Sequence, residues 1–411
     1  MANLSSLYEL LYDDEGSFKE NAQSPGSNTY SKRVPVIGIP TMSLTQTRAD
    51  DQTVQSRRND SRPGFLGLRG GTISFKTLFP GLMSDPGAST VSETWTGDLL
   101  GDGLGGSSVA DDGGTVQSAT DADTFVTTGA TLTPGNGIAV GVKNDGRCDG
   151  QIGVISTWSG GNTQLLTALP ATPNASDAVR ICHALYPTEA EPTVTKRFLC
   201  GYTATGAQYH AMGCQLASVT LNLPVESGDL PTIDWVYNVA YWARSTVSIP
   251  SAVALPNTDT GVIAGGQFYA QTFGTATRAT RAISSLSVSL DMGLIADRGP
   301  AASQEPYGNV RGWYRTRVVP TVTYTRAFET TAESDFDADG SSSTHEHFLW
   351  QSNATAGRRV AIYMPRLYRV GDKPTVTDQG GLLFQSEMWR GCESTDTTSE
   401  LTRSCIRVLL G

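Results

Sequence analysis

Long runs in which every second residue is apolar constrain the fold of this chain more than any other feature of the sequence. Three such runs cover residues 217–223, 233–241 and 285–294, and Ser, Thr, Asn and Asp are common at the intervening positions. Successive side chains of a β-strand point to opposite faces of the sheet, so each run predicts a strand with one packed face. The other face is then exposed to water or to a partner molecule.

The composition also favours many short strands joined by turns. The 411 residues include 44 Gly and 20 Pro, and apolar residues make up only 38%. At about 150 residues per domain, this length corresponds to two or three domains. The predicted fold class is therefore mainly β. Two helices are predicted as well. The first covers residues 89–104, in which apolar residues recur at spacings near four, and the second covers residues 333–352.

Turn signals divide the predicted strands into an arm, a core and an insertion. Residues 1–33 are polar and are predicted to form an N-terminal arm, whereas residues 34–122 and 189–411 contain the strands of a β-sandwich core. Between these two parts, residues 123–188 contain short strands at close spacing, which predicts a small β-barrel-like insertion. Residues 101–122 are rich in Gly, Ser and Asp and are expected to form a mobile loop.

The charge of the chain limits the partners that it can recognise. The formal net charge is −10 and the isoelectric point is near 4.9, which disfavours a sequence-specific DNA reader, because such a protein needs a basic surface. No apolar window of about 18 residues predicts a membrane span, and the N-terminal segment does not have the pattern of an export signal. The cysteines are therefore expected to be reduced and mostly buried. They are Cys148, Cys182, Cys200, Cys214, Cys392 and Cys405.

Motifs that carry catalysis are missing from the sequence. It contains four histidines and no G-x-S-x-G, H-E-x-x-H or G-x-x-x-x-G-K-[ST] pattern. Gly101, Gly103 and Gly106 match G-x-G-x-x-G, but they follow a predicted helix, whereas a dinucleotide site joins a strand to a helix. His345 and His347 form an H-x-H pair without an evident third metal ligand. The sequence therefore predicts a protein that is not an enzyme and requires no cofactor.

One segment does match a metal-binding pattern. Residues 335–346 read D-F-D-A-D-G-S-S-S-T-H-E, which fits the calcium loop D-x-D-x-D-G-x5-E. The calcium ligands would be the side chains of Asp335, Asp337 and Asp339, the carbonyl oxygen of Ser341 and both carboxylate oxygens of Glu346. Against this assignment, Ser342 occupies a position that is usually apolar, and paired amphipathic helices are lacking. The alternative is an acidic loop that caps a helix beginning near Ser343.

The order of the predicted segments resembles that of the tail tube proteins of long-tailed bacteriophages over residues 30–411. The resemblance depends on a series of features, each weak by itself. They are G-T-I-S-F at 71–75, Leu99–Leu100 in the following helix, L-T-P-G at 132–135, Leu165–Leu169, Tyr186–Pro187, Gly213–Cys214 before an alternating strand, the hairpin at 230–244, S-L-S-V-S-L at 285–290, Arg359–Pro365 and a final pair of strands.

This resemblance implies a structural virion protein of a siphovirus-like phage, located in the tail and assembled in the cytoplasm of the host bacterium. Six β-sandwich subunits would form a hexameric ring, and stacked rings would form the tube through which DNA passes during genome ejection without specific binding. The implied partners are further copies of the chain, a tape measure protein in the lumen, and the tail terminator and distal tail proteins. The polar residues of one predicted strand would face the lumen: Ser285, Ser287, Ser289 and Asp291.

Two other functions are compatible with a β-rich chain. A capsid decoration protein or a carbohydrate-binding tail-tip adhesin would form trimers and display aromatic residues on loops, where Trp158 is the main candidate. A secreted hydrolase would need an export signal and a catalytic pair.

Two segments depart from the tail tube pattern and leave the ring-to-ring contacts open, namely the N-terminal arm and the loop at 101–122. Residues 1–33 and 45–62 are the expected contacts, because long polar segments often order only against a neighbour. Deletion of residues 1–30 is then expected to leave folded subunits that cannot polymerise.

Overall fold

The structure is a computed structural model of the chain, and it is mainly β. It describes residues 8–19, 27–49, 65–79, 95–108, 114–129, 131–141, 148, 151–191, 193–202, 208–225, 230–245, 253, 266–272, 274, 280–299, 310–327, 345–352, 360–370, 375–379, 381–395 and 399–410. These residues form 26 strands and two short helices.

The elements follow one another along the chain in three groups. The first group is β1 (Tyr8–Asp14), β2 (Lys32–Arg33), β3 (Thr41–Ala49), β4 (Phe65–Leu78), α1 (Trp95–Leu104) and β5 (Gly105–Ser108). The second is β6 (Gly114–Ala119), β7 (Thr124–Thr128), β8 (Gly137–Gly141), β9 (Gln151–Ser159), β10 (Asn162–Leu165) and β11 (Ala178–Ile181). The third is β12 (His183–Pro187), β13 (Lys196–Tyr202), β14 (Gln208–Leu223), β15 (Thr232–Val239), β16 (Tyr241–Ser245), β17 (Gly266–Thr272), β18 (Ser285–Asp291), β19 (Leu294–Arg298), β20 (Val310–Arg315), β21 (Val319–Ala327), β22 (Glu346–Ser352), β23 (Val360–Arg369), β24 (Thr375–Gln379), β25 (Leu382–Gly391), α2 (Glu400–Arg403) and β26 (Arg407–Leu410).

The largest layer is an antiparallel sheet with the strand order β3–β4–β15–β14–β18–β21–β25–β24, here called the broad sheet. The three alternating runs of the sequence lie at its centre, in β14, β15 and β18. Most of their apolar side chains are buried, and those of Leu221, Trp235 and Leu290 have no exposed surface. The prediction that these runs are strands with one packed face is confirmed.

A second layer, the middle sheet, has the strand order β17–β22–β23–β26–β12–β5. One of its faces packs on the broad sheet, where the rings of Phe268 and Phe348 lie 5.5 and 5.9 Å from the ring of Tyr324. The other face packs on the insertion, where Leu349 shares a cluster with Ile152 of β9. The middle sheet is therefore covered on both faces.

This double cover explains why the helix predicted at 333–352 is wrong for its second half. Residues Glu346–Ser352 form β22, in which the six residues after Glu346 are all buried. A strand that is buried on both faces has no alternating pattern, and its apolar run cannot be distinguished from a buried helix by periodicity. Residues 328–344, which include the first half of the predicted helix, lie outside the described residues.

The insertion is a closed barrel with the strand order β10–β7–β6–β11–β8–β9. It covers residues 114–181, whereas the sequence placed a sub-domain at 123–188, because β12 already belongs to the middle sheet. Between β9 and β10, Gly160 and Gly161 have φ angles of 58° and 93°, which glycine adopts without strain in a tight hairpin.

The segment at 101–122, expected to be a loop, is largely structured in its described part. It contains the end of α1, then β5 and β6. Gly105, with a φ of 88°, marks the end of α1, which lies within the helix predicted at 89–104. Composition was misleading here because glycines in this segment allow close packing, as at Gly103, where a Cβ would lie 2.1 Å from a methyl carbon of Leu216.

The 16-residue strand β14 belongs to two sheets. Its first half pairs with β13 and β16, and β13 continues through β1 to β2, forming the side sheet. Its second half pairs with β15 and β18 in the broad sheet. The two halves meet near Gly213, whose φ of 61° favours glycine and where a Cβ would lie 2.8 Å from the Cβ of Ala240.

The N-terminal strand corrects the prediction of an arm at 1–33. Residues 8–14 form β1, which pairs with β13 along its whole length. Leu10, Leu11 and Tyr12 have no exposed surface. This part of the segment belongs to the core, so deletion of residues 1–30 would remove a core strand and could not test polymerisation alone.

Deletion of residues 1–14 is expected to prevent stable folding. It leaves one edge of β13 without its partner strand and uncovers the surface against which Leu10, Leu11 and Tyr12 pack. The matched control is deletion of residues 1–7, which retains β1. Circular dichroism and urea denaturation of both variants test this expectation, and a 1–14 deletion that unfolds at the wild-type midpoint would contradict it.

Candidate functional site

The outward face of the broad sheet carries small polar side chains. Burial alternates along β18, whose apolar residues point inwards. Its polar residues lie on the other face, where Ser285 and Asp291 are exposed and Ser287 and Ser289 are half-buried. The four residues that the sequence predicts to face a lumen thus share one side of one strand.

Neighbouring strands extend this polar surface across the sheet. Ser287 lies opposite Asn222 of β14 and Thr323 of β21, and Ser289 lies opposite Thr220 and Thr321. Directly opposed residues of paired strands share a face. The resulting surface, here called the hydroxyl face, consists of Ser218, Thr220, Asn222, Ser285, Ser287, Ser289, Thr321, Thr323 and Thr325. It offers neutral hydrogen-bond donors and acceptors.

Charges beside the hydroxyl face are balanced. On β15, Asp234 lies 3.8 Å from the ammonium group of Lys76 and accepts a hydrogen bond of 2.7 Å from the Asn222 amide. Asp291 adds one negative charge in β18, and Arg390, opposite Thr321, adds one positive charge in β25. The face is therefore close to neutral in a chain whose net charge is −10.

Both outer edges of the broad sheet carry exposed apolar side chains. Next to β3, Ile37 and Ile39 are 45% and 51% exposed. At the opposite edge, Val376, Leu382 and Leu383 are 40%, 66% and 50% exposed. Within the described ranges, no strand pairs with the outer side of β3 or of β24. Monomeric proteins usually protect such edges with charged residues, Pro or a covering segment, so these two edges are candidate contacts with another chain.

Three carboxylates, those of Asp14, Asp98 and Asp102, lie close enough to one another to hold a metal ion. The ammonium group of Lys196 lies among them, 2.7 Å from Asp98 Oδ1 and also in contact with the carboxylates of Asp14 and Asp102. Lys32 Nζ lies 2.6 Å from Asp98 Oδ2. Because cations of the chain itself already neutralise these acids, the arrangement favours a structural ion-pair network over a metal site.

Burial and ion pairing act in opposite directions in this network. Burial lowers the pKa of Lys196, but the carboxylates of Asp102 and Asp98 more than reverse this effect, and the pKa is raised. Burial raises the pKa of Asp102 to about 6, against the attraction of Lys196. The network connects α1 with β1 and β13 and so fixes the helix against the side sheet. The sequence analysis missed it because its members come from distant parts of the chain.

The predicted calcium loop can be placed only at its last residue. Four of its five predicted ligands lie outside the described residues: Asp335, Asp337, Asp339 and Ser341. Glu346 lies at the start of β22, where each of its carboxylate oxygens accepts a hydrogen bond of 3.0 Å from Arg281. Calcium binding through Glu346 would require this ion pair to open, and the calcium site stays a prediction.

Burial favours the neutral forms of two histidines and two thiols. Burial lowers the pKa of His210 and of His347 to about 4. All six cysteines are free thiols and five of them are buried, in agreement with the expectation from the sequence. Burial raises the pKa of Cys182 and of Cys405 to about 12, which makes these thiols poor nucleophiles near neutral pH.

Glu15 is a buried carboxylic acid near the point where β14 changes sheets. Its side chain is 7% exposed and accepts hydrogen bonds from the Gly213 N–H at 2.9 Å and from the Thr195 hydroxyl at 2.5 Å. Burial raises its pKa from 4.5 to about 7 in spite of these hydrogen bonds. The folded protein therefore binds this proton more tightly than the unfolded chain does.

The stability of the protein should accordingly depend on pH through Glu15. Its contribution falls as the pH rises from 4.5 towards 7, because the unfolded chain releases the proton first. Glu15→Gln keeps an acceptor oxygen but cannot ionise, so its stability relative to wild type should increase by about 2–3 kcal/mol between pH 4.5 and pH 8. Urea denaturation at both pH values measures this difference, and a difference that is independent of pH would refute the assignment.

Among the described residues, no helix is both long enough and apolar enough to cross a lipid bilayer. No protein-family model matches the sequence, and no curated protein matches it either. The function of the chain must therefore be inferred from its surfaces, among which the hydroxyl face and the two apolar edges of the broad sheet are the best defined.

Proposed function

We propose that the chain is the tail tube protein of a siphovirus-like bacteriophage, a structural protein whose stacked hexameric rings form the conduit for DNA. One observation carries this proposal: the broad sheet combines a polar outward face with apolar edges on its two opposite sides. Such a sheet can continue into a neighbouring subunit at each edge, while its polar face lines a channel filled with water.

The difference between the two edges favours a ring. Ile37 and Ile39 lie beside β3, whereas Leu382 and Leu383 lie at the turn between β24 and β25. Contact between two unlike surfaces is head-to-tail, and repetition of such a contact closes into a ring or continues as a filament. Pairing of β3 with β24 of the next subunit would satisfy both open edges and bury the four apolar side chains.

The hydroxyl face suits a wall along which DNA slides. Neutral hydroxyl and amide groups hydrogen-bond to water, and they do not form the ion pairs with phosphate that dominate DNA binding. The basic residues beside the described part of this face are few, and Lys76 is paired with Asp234. The tape measure protein would occupy the same channel, and the terminator and distal tail proteins would contact the ends of the tube; these partners follow from the family resemblance.

Stacking of rings requires a further surface. Since residues 8–14 belong to the core, they are not available as a polymerisation arm. The hairpin of β19 and β20 offers another candidate, because Ile295 and Tyr314 lie opposite each other and are 55% and 52% exposed. An exposed apolar pair of this kind is typical of a protein contact.

The alternative of a carbohydrate-binding adhesin has less support. Trp158, the aromatic residue expected on a loop, lies in β9 and packs partly buried against the core of the barrel. It is therefore poorly placed to stack on a sugar. A decoration protein or adhesin would form trimers, whereas a tail tube protein forms six-fold rings or tubes.

Negative-stain electron microscopy of the purified chain is expected to show six-fold rings or tubes. Leu382→Asp should abolish them while leaving the fold unchanged, because it places a charge in the proposed contact at a position that is 66% exposed in the subunit. The matched control is Leu230→Asp, which makes the same change at a residue that is 41% exposed and away from both edges.

Circular dichroism and the melting temperature establish that both variants are folded. Trimers or monomers from the wild-type chain would contradict the proposal, and so would normal rings from folded Leu382→Asp. Loss of rings in Leu230→Asp alone would place the contact elsewhere on the sheet.

A further inference from the structure

Strand β23 brings the end of β25 and the start of β26 together. β25 ends at Gly391, opposite Leu367 of β23, and β26 begins at Arg407, opposite Tyr363 of β23. Because β22 pairs with the other edge of β23, β25 and β26 follow each other along the same edge. The segment between them therefore leaves this edge and returns to it at nearly the same place.

This segment carries a cysteine near each of its two ends, Cys392 and Cys405. Its two arms are in contact, because the Ser394 N–H donates a hydrogen bond of 3.0 Å to the Arg403 carbonyl oxygen. The cysteines follow two residues further along each arm, towards the sheet. There, a Cβ at Gly391 would lie 3.3 Å from the Cys405 carbonyl oxygen. The backbone thus places the two cysteines across from each other.

The side chains of both cysteines line one cavity of about 420 Å³. Cys405 is 8% exposed, whereas Cys392 is half-buried. Burial raises the pKa of Cys405 to about 12, and Cys392 adds to this effect, which requires that it lie nearby. The thiols contact different carbonyl oxygens, at 3.5 Å from Cys392 to Arg366 and at 3.9 Å from Cys405 to Val318. A thiol is a weak donor, so little is lost if either side chain turns towards the other.

We propose that Cys392 and Cys405 are a redox-active pair, which a small disulfide such as oxidised glutathione converts into an internal disulfide bond. Cys392 reacts first because it is the more exposed thiol. Its thiolate attacks one sulfur of the small disulfide and releases the first glutathione. The Cys405 thiolate then attacks the Cys392 sulfur, closes the internal bond and releases the second glutathione. The protein thiols are oxidised, and the small disulfide is reduced to two thiols that take up both protons.

The new bond would connect two layers of the fold. Cys392 directly follows β25 of the broad sheet, and Cys405 precedes β26 of the middle sheet. A bond between them closes residues 392–405 into a loop, which restricts the unfolded chain and so favours the folded state. The thiol form corresponds to a reducing cytoplasm, and the disulfide form to an oxidising medium outside the cell. The proposal does not depend on the function of the broad sheet.

Incubation of the folded, full-length protein with oxidised glutathione at about pH 8.5 tests the proposal. The number of thiols that can be alkylated after denaturation should fall from six to four. Trypsin cleaves after Arg390, Arg403 and Arg407, so mass spectrometry should find the peptide 391–403 linked to the peptide 404–407. Reduction with dithiothreitol should restore all six thiols, and the oxidised protein should melt at a higher temperature than the reduced protein.

Three variants distinguish this bond from other reactions of the thiols. Cys405→Ala should stop at a mixed disulfide between glutathione and Cys392, without a rise in melting temperature, because the second thiol is missing. Cys392→Ala should retain all of its remaining thiols. The matched control is Cys148→Ala, which removes a buried thiol from the core of the barrel and should still lose two thiols on oxidation.

Circular dichroism before and after oxidation establishes that each protein is folded, and non-reducing electrophoresis distinguishes an internal bond from a bond between two chains. Wild-type protein that keeps all six thiols, or that stops at the mixed disulfide, would overturn the proposal. Linkage through any other pair of cysteines, or covalent dimers in place of monomers, would overturn it as well.

Discussion

Burial of both faces of the middle sheet is the constraint on which the rest of the structure depends. Phe348 and Trp350 of β22 pack into the cluster shared with the broad sheet, whereas Leu349 between them packs into the cluster shared with the barrel. A sheet of this kind needs two covers, so the barrel is a structural requirement of the core. The broad sheet is then the layer left with a free face, and this is where the polar residues are aligned.

Charged residues inside the fold determine how its parts are arranged. Lys196 connects α1 to the side sheet, and Glu387, whose side chain has no exposed surface, lies 2.6 Å from both Arg326 and Arg369. Buried ion pairs add little net stability compared with apolar packing, but removal of one partner is costly. We infer that these contacts specify the positions of a helix and of three strands, in a core where apolar packing alone would tolerate alternatives.

The sequence predicts best those strands that are exposed on one face. The alternation in β14, β15 and β18 identifies them and also assigns Ser287 and Ser289 to the polar side. It fails for β22, because a strand with two buried faces has no period, and for β1, where a short apolar patch in a polar segment does not reveal its pairing with β13. The ion-pair network around Lys196 joins residues from distant parts of the chain, which local sequence patterns do not encode.

The continuity of β14 has a mechanical consequence. The backbone of β14 runs without interruption from the side sheet into the broad sheet. Tension applied to β13 is therefore transmitted through its hydrogen bonds to β14, along the β14 backbone, and through the next ladder of hydrogen bonds to β18. No flexible connection lies between them to absorb the extension. We therefore expect the two sheets to respond to a pulling force as one unit.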